Sequence, residues 1–114
     1  MTYNRCDITN EDKVTRCLRE VATQAEGRAA PFSGIVACAG IVQITPAVDY
    51  PVADFNRVIN INVTGTFLTA KHASRIFIEQ CTKGSIVLIA SMSGQIANKG
   101  LKLTAYNSSK AAVQ

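Results

Sequence analysis

The sequence predicts an α/β protein in which helices cover both faces of a parallel sheet. Segments of strand length alternate with segments of helical periodicity, in the order strand, helix, strand, helix, strand, helix. Two of the strand segments, 34–40 and 84–90, are apolar on both faces, which is typical of parallel strands that are buried on both sides. Right-handed crossovers between the strands would give a three-layer arrangement.

The first predicted strand, Thr2–Ile8, leads directly into the first predicted helix. Thr9 is the expected helix cap, because an acid follows it three residues later and two acids, Glu11 and Asp12, lie at the positive end of the helix dipole. Gly27 is predicted to end this helix, and a loop containing Pro31 follows. The apolar face of the helix consists of Val14, Cys17, Leu18, Val21, Ala22 and Ala25.

The second half of the chain continues the alternation. Strand 34–40 is followed by a loop over 41–50, and Pro51 lies near the start of a long helix that is predicted to reach about Gln80. Strand 84–90 leads into a loop of small residues, and a last helix begins at about Thr104. Because that helix is unfinished at Gln114 and three strands are few for such a sheet, we expect residues 1–114 to be the middle of a larger domain.

The composition excludes several classes of protein. Of the 114 residues, 47% are hydrophobic and 18% are charged, which excludes a disordered tail. No apolar segment approaches the roughly 18–20 residues of a membrane span, and the residues after Met1 are too polar for a secretory signal. The net charge of +4 comes from scattered single residues rather than a basic stripe. We therefore expect a cytoplasmic protein with a small-molecule ligand and with neither a nucleic acid nor a membrane as partner.

The cysteines and the single histidine do not indicate a metal site. The four cysteines lack the two-residue spacing of zinc or redox motifs. Cys6, Cys17 and Cys38 fall in segments predicted to be buried, so we expect reduced, packed thiols rather than disulfides. His72 lies on the long helix, where we expect a surface or core residue rather than a ligand, and we expect no bound metal.

Tyr106, Lys110 and Ser91 are candidates for proton-transfer chemistry. The spacing of four puts Tyr106 and Lys110 on one helix face, and a neighbouring ammonium favours a phenolate over a phenol. The pair could exchange a proton with an alcohol or carbonyl oxygen, or it could simply face solvent. Ser91 directly follows strand 84–90, at the sheet edge where parallel α/β proteins bind ligands, although an ordinary loop serine could also occur there.

Asn62, Gly40 and Asp7 are candidates for binding. Asn62 lies in an apolar helical stripe, where an amide without hydrogen bonds would cost about 1–3 kcal/mol. It could hold a water or a backbone carbonyl on a proton path to Lys110, or form a structural hydrogen bond from the helix to a loop. Gly40 ends a strand and would allow a ligand or backbone to approach closely. Asp7 could accept a hydrogen bond from a ligand amine or cap the following helix.

The order of these residues resembles the short-chain dehydrogenase/reductase family over essentially the whole chain. The resemblance implies a Rossmann-like sheet, of which residues 1–114 would cover the third strand to the start of the helix after the fifth strand. The glycine-rich turn that holds the cofactor pyrophosphate would precede Met1, and the segments that close over the substrate would follow Gln114. The motifs that carry the resemblance are Cys6-Asp7-Ile8-Thr9, Ala39-Gly40, Asn62-Val63-Thr64-Gly65-Thr66-Phe67, Gly84-Ser85-Ile86-Val87 and Tyr106-Asn107-Ser108-Ser109-Lys110-Ala111-Ala112-Val113.

The resemblance also implies catalytic roles at the matching positions. Tyr106 would be the catalytic acid/base, and Lys110 would make its phenol more acidic and bind the nicotinamide ribose. Ser91, three residues before Gly94, would orient the substrate oxygen. Asn62 would hold a water that relays protons through Lys110.

Six residues would bind the cofactor by the same resemblance: Tyr106 and Lys110 from the catalytic group, and four others. Asp7 would bond to the adenine amino group beside the backbone of Ile8, and Ala39 and Gly40 would lie against a ribose. The sequence departs from the family where two asparagines usually precede Ala-Gly. Ala and Cys occupy positions 37 and 38 here, so the hydrogen bonds that normally brace this strand are not expected.

Two stretches, 36–41 and 89–94, resemble fungal polyol and sugar reductases of the mannitol, arabinitol, xylulose or sorbose type. We therefore expect an oxidoreductase that interconverts a polyol and a ketose, favours NADP(H) over NAD(H), and is a homo-oligomer when complete. The alternatives are a non-catalytic module that keeps the fold for binding or regulation, and an unstable truncated gene product. In each case we expect the 114-residue chain alone to be inactive.

Overall fold

The computed structural model describes residues 3–27 and 30–114, and from the first helix onward its elements follow the predicted alternation. They are α1 (Glu11–Glu26), β1 (Gly34–Ala37), α2 (Val52–Ile59), α3 (Gly65–Glu79), β2 (Ser85–Leu88) and α4 (Thr104–Val113). A π-helical turn at Asn60–Thr64 joins α2 to α3, so the long helix is continuous as predicted. Among the described residues, no helix has both the length and the apolarity to cross a membrane.

The sheet has two strands in the described part of the chain rather than the three predicted. β1 and β2 pair in parallel, with Gly34 opposite Ser85 and Ala37 opposite Leu88. Residues 3–8 do not form the predicted first strand, and residue 2 of that prediction lies outside the described residues. A strand requires ladder hydrogen bonds to a neighbour, and no described segment pairs with residues 3–7.

The core lies on one face of this sheet. Ile35 and Ile86 point into it, whereas the next residues, Val36 and Val87, are exposed by 57% and 47% because successive strand residues point to opposite faces. The prediction that both faces are buried is therefore wrong within the described residues. The buried residues of this core come from α1, α3 and the segment before β1: Ala22, Phe32, Ala73, Ile76 and Phe77.

The start of α1 differs by one residue from the prediction. Asn10, rather than Thr9, caps the helix, since Asn10 Oδ1 accepts a hydrogen bond from the backbone N–H of Lys13 at 2.9 Å. The Thr9 hydroxyl instead donates to Asp7 Oδ1 at 2.7 Å. The Asp7 carboxylate thus binds the hydroxyl that was expected to cap the helix. Gly27 ends α1 as predicted.

The cysteines and His72 largely follow expectation. All four cysteines are free thiols, and Cys6 and Cys17 are partly buried. Burial, together with the neighbouring Cys17 thiol, raises the pKa of Cys6. Cys38 is exposed because it lies just after β1 ends, so the expectation that it is packed is wrong. His72 is a core residue: it is buried, and its Nε2 lies 3.0 Å from Glu11 Oε1.

Candidate active site

Lys110 is buried near the carboxyl end of β2. Its side chain is on α4 and the residue is 5% exposed, and its Nζ donates a hydrogen bond to the carbonyl oxygen of Ile89 at 2.7 Å. The same Nζ lies 5.7 Å from the centre of the Tyr106 ring. Tyr106 and Lys110 therefore share one helix face as predicted, but this face packs against the strand end and is not a solvent-facing pair.

The Asn62 carboxamide is fully buried at the π turn and forms three hydrogen bonds. Its Oδ1 accepts from the backbone N–H of Ile41 at 2.8 Å, and its Nδ2 donates to the Ile41 carbonyl and to Ser109 Oγ, both at 2.9 Å. Both amide hydrogens are therefore used, and the polar group is satisfied within its apolar stripe. The helix-to-loop hydrogen bond, one of the two alternatives, is present.

Gly40 lies beside both Asn62 and Lys110. A methyl group at this position would lie 3.3 Å from Asn62 Oδ1 and 3.8 Å from Lys110 Nζ. The missing side chain therefore leaves an open backbone surface flanked by an amide oxygen and an ammonium. Such a surface fits a sugar with two hydroxyls, because one group can accept a hydrogen bond and the other can donate one.

Ser91 lies at the start of a 3₁₀ turn, Met92–Gly94, that follows β2. Its Oγ accepts a hydrogen bond from the backbone N–H of Ser93 at 3.2 Å, and its own hydrogen has no acceptor in the parts of the chain that the structure describes. Ser93 is buried, and its Oγ accepts from Asn98 at 2.7 Å. Ser91, the predicted serine, is thus the more accessible donor at the sheet edge.

Asp7 and Ile8 lie at the other end of the candidate site. The Asp7 Oδ1 accepts from the hydroxyl and the backbone N–H of Thr9, and these bonds lower the pKa of Asp7. Lys13 Nζ lies 3.8 Å from Oδ2, which leaves that oxygen able to accept from a ligand. Ile8 packs on Gly65, where a methyl group would lie 2.5 Å from Ile8 Cδ1.

The structure brings the candidate residues together in two groups. The first group contains Gly40, Asn62, Tyr106 and Lys110, and the second contains Asp7 and Ile8. Ile8 and Ala39 line one cavity of about 140 Å³, so the second group adjoins the strand end that carries Gly40. Among the described residues, no three His, Cys, Asp or Glu side chains form a possible metal site.

Four residues make contacts in this site that were not predicted from the sequence. Ile41 and Ile89 act through backbone atoms, which no residue pattern reveals. Ser109 directly precedes Lys110, but several serines lie nearby, so its identity alone could not single it out. Gly94 could have been found from the sequence, since it comes three residues after Ser91. A methyl group there would lie 2.7 Å from the backbone of Lys110 and Ala111.

The fold is of the α/β class with a parallel sheet, and sequence comparison identifies the family. The sequence model of the short chain dehydrogenases matches residues 1–114. The chain therefore belongs to the short-chain dehydrogenase/reductase family, whose members act on CH–OH groups with NAD(P).

Three relatives illustrate the breadth of the family. A short chain dehydrogenase/reductase from Aspergillus versicolor is 43% identical over 113 residues, which are 99% of this chain and 38% of that protein. Human (3R)-3-hydroxyacyl-CoA dehydrogenase is 36% identical over 91% of this chain and 38% of its own length. An NADH-dependent L-xylulose reductase from Ambrosiozyma monospora is 34% identical over 95% of this chain and 39% of its own length. The chain thus spans well under half the length of these relatives.

Solved structures show the same fold. A short-chain type dehydrogenase/reductase from Mycobacterium marinum superposes with a TM-score of 0.83 and 40% identity, over 96% of this chain and 41% of that one. NAD⁺-bound xylitol dehydrogenase gives a TM-score of 0.79 and 36% identity over 95% and 39% of the two chains. NADP-bound ElxO gives a TM-score of 0.81 and 26% identity over 98% of this chain and 43% of that one. The chain therefore has a partial Rossmann fold.

Proposed function

We propose that the protein containing this chain is an NAD(P)(H)-dependent oxidoreductase that interconverts a secondary alcohol and a ketone. The observation that carries the proposal is the buried Lys110 ammonium, which is held at the end of β2 and lies 5.7 Å from the centre of the Tyr106 ring. A tyrosine hydroxyl in such a site can act as a general acid or a general base toward a carbonyl or alcohol oxygen.

In the proposed reaction the chain supplies the proton and the orientation. The Tyr106 hydroxyl donates a proton to the carbonyl oxygen in reduction and accepts one from the alcohol in oxidation. The Ser91 hydroxyl donates a hydrogen bond to the same oxygen, and the Lys110 ammonium lies beside the Tyr106 ring. A bound nicotinamide cofactor supplies or accepts the hydride.

The cofactor would lie along the two groups of residues. Lys110 has two further N–H groups for the ribose hydroxyls at Gly40, and Ala39 would lie beside them. Asp7 Oδ2 would accept from the adenine amino group, next to the Ile8 backbone. Asn62 Oδ1 accepts one hydrogen bond and has a second lone pair that would hold a water that relays protons.

Replacement of Tyr106 by Phe tests the proposed role directly. In the full-length protein, Tyr106→Phe is expected to lower kcat for ketone reduction by about 10²–10⁴-fold, because general acid catalysis contributes that much, and to leave cofactor affinity within about twofold. Steady-state kinetics and a cofactor fluorescence titration measure the two effects.

Tyr50→Phe is the matched control, because the Tyr50 hydroxyl is buried without a hydrogen bond and has no proposed role. Turnover of Tyr106→Phe near that of the wild type would remove Tyr106 from the mechanism. A wild-type protein that binds the cofactor but turns over no alcohol or ketone would instead be a binding module.

The proposal extends to the substrate and the form of the cofactor. We propose a polyol and ketose pair, because segments 36–41 and 89–94 resemble polyol reductases and one relative is named an L-xylulose reductase. We propose NADPH as the preferred reductant on the same resemblance. That relative is named NADH-dependent, so the decisive assay compares kcat/KM with NADPH and NADH over a panel of ketoses and 3-hydroxyacyl thioesters.

We also propose that the protein is a cytoplasmic homo-oligomer. All four cysteines are free, as expected of a reducing compartment. Phe67 of α3 is 60% exposed and borders an apolar groove of about 420 Å³ that also includes Val113 of α4. A second copy covering this groove would bury Phe67. Phe67→Asp is therefore expected to shift the full-length protein to monomers in light scattering, whereas Val48→Asp, at a 91% exposed position, should not.

A further inference from the structure

We infer that Ser109 is a positioning residue that ties the catalytic helix to the π turn and, through it, to the loop beside the cofactor. This inference rests on the proposed oxidoreductase function. Ser109 is fully buried on α4, one residue before Lys110 and one helical turn after Tyr106. No role in the reaction is assigned to it above, and it touches neither reacting atoms nor the proposed cofactor surface.

The Ser109 hydroxyl is part of a continuous chain of hydrogen bonds. It donates to the carbonyl oxygen of Tyr106 at 2.7 Å, so its hydrogen is committed to its own helix. Its lone pair accepts from Asn62 Nδ2 at 2.9 Å, and the same amide holds the N–H and the carbonyl of Ile41. The chain Ile41–Asn62–Ser109–Tyr106 therefore links three segments that are far apart in the sequence.

This chain determines how α4 sits relative to Gly40. Ile41 follows Gly40 directly, and Gly40 faces both Asn62 Oδ1 and Lys110 Nζ. Without the Ser109 hydroxyl, one Asn62 N–H would be left buried without an acceptor, a state that the protein relieves by moving a segment or admitting water. Either response would change the distance between α4 and the loop, and small displacements of reacting groups reduce rates strongly.

The neighbouring serine offers a matched control. Ser108 lies on the same helix and its hydroxyl donates to the Thr104 carbonyl at 2.9 Å, but it is exposed and bonds to no other element among the described residues. Ser108→Ala therefore removes a hydroxyl and a local helix bond without breaking a link between elements. Ser109→Cys keeps nearly the same volume with a much weaker hydrogen-bonding group.

The experiment uses the full-length protein with its best ketone substrate and saturating cofactor, far below the unfolding temperature. Ser109→Ala is expected to lower kcat about tenfold, and Ser108→Ala is expected to keep kcat within about twofold of the wild type. The kcat of Ser109→Cys should lie between those of Ser109→Ala and the wild type. If Ser109 acts through Asn62, Ser109→Ala has little further effect on kcat in an Asn62→Ala background. A residue with only a structural role would lower the unfolding temperature and leave kcat unchanged.

Two kinetic outcomes would overturn the inference: a kcat of Ser109→Ala equal to that of Ser108→Ala, or full additivity with Asn62→Ala. A readout that does not need activity separates this from a failure of the proposed function. In ¹⁵N-labelled protein, both side-chain amide hydrogens of Asn62 are expected to be protected from exchange, and one of them should lose its protection in Ser109→Ala. Unchanged protection would also overturn the inference, whether or not the wild type is an oxidoreductase.

Discussion

At Gly94 the absence of a side chain allows two backbone segments to touch. A methyl group there would lie 2.7 Å from the Lys110 carbonyl carbon and from the Ala111 nitrogen. Neither backbone atom can rotate away as the end of a long side chain could. The 3₁₀ turn that begins at Ser91 is thus held in register with the helix that carries Tyr106 and Lys110.

Gly94→Ala is therefore expected to lower the free energy of unfolding by about 1–3 kcal/mol, the usual effect of overpacking, and to reduce kcat in the full-length protein. Urea denaturation and steady-state kinetics measure the two effects. Gly27→Ala is the control, because Gly27 has helical angles (φ −61°). A methyl group at Gly27 would lie 3.8 Å from the nearest atom, which is ordinary van der Waals contact. Equal stability of the two variants would show that the turn can move away from α4.

Among the elements, α1 and α3 are joined by a group of charges around Glu11. Its Oε1 accepts from Lys71 Nζ at 2.6 Å and lies 3.0 Å from His72 Nε2. These contacts, the Lys71 bond first, lower the pKa of Glu11 below its ordinary value of 4.5. Glu11 also lies in the first turn of α1, where a negative charge is favourable to the helix dipole.

A carboxyl group whose pKa is lowered by folding stabilises the protein above its unfolded pKa, and this contribution is lost as the pH falls through the folded value. Glu11→Gln is therefore expected to have a modestly lower unfolding temperature than the wild type at pH 7. The difference should shrink as the pH falls below 4.5, the ordinary pKa of a glutamate, and vanish once the pH is below the lowered pKa of Glu11. Glu20→Gln, on the same helix, is the control. A difference that persists unchanged in acid would contradict the ionic origin.

The helix that carries Asn62 shows the limit of periodicity at the element scale. Apolar spacing from Pro51 onward predicted one long helix, and α2, the π turn and α3 do form one. The π turn itself was not predicted. The Asn62 side-chain amide in this turn bonds to the backbone of Ile41, a residue 21 positions earlier. The contact therefore depends on tertiary packing rather than on neighbouring residues.

At the scale of the whole molecule, the described fold is elongated and its sheet is partly uncovered. The radius of gyration is 16.2 Å, whereas a compact domain of this length has roughly 13 Å. Apolar strand residues are exposed, among them Val36 by 57% and Val87 by 47%. An apolar strand face of this kind needs a covering layer, which the described residues do not provide.

The 114-residue chain by itself is therefore expected to bind hydrophobic dyes strongly. It is also expected to bind NADPH with a Kd above about 1 mM. The physical reason is that its sequence contains no glycine-rich turn for the pyrophosphate. Fluorescence titration of NADPH against the 114-residue chain and against the full-length protein measures the difference. A micromolar Kd for the short chain would show that residues 1–114 already form the cofactor site.

The sequence by itself determined the fold class, the order of the elements from α1 onward and the parallel direction of β1 and β2, because apolar periodicity and the lengths of segments are local properties. It also placed Tyr106 and Lys110 on one helix face, since helical geometry alone relates residues four apart. The sequence also indicated Ser91, Asn62 and Gly40 as candidate site residues, because a strand end and an apolar helical stripe can be recognised from neighbouring residues.

Only the tertiary structure decided which groups satisfy each other. Lys110 Nζ donates a hydrogen bond to the Ile89 carbonyl, and Asn62 Nδ2 donates to the Ile41 carbonyl and to Ser109 Oγ. These pairings follow from the requirement that buried polar groups be hydrogen-bonded, and the partner is whichever group the packing of distant segments brings within reach.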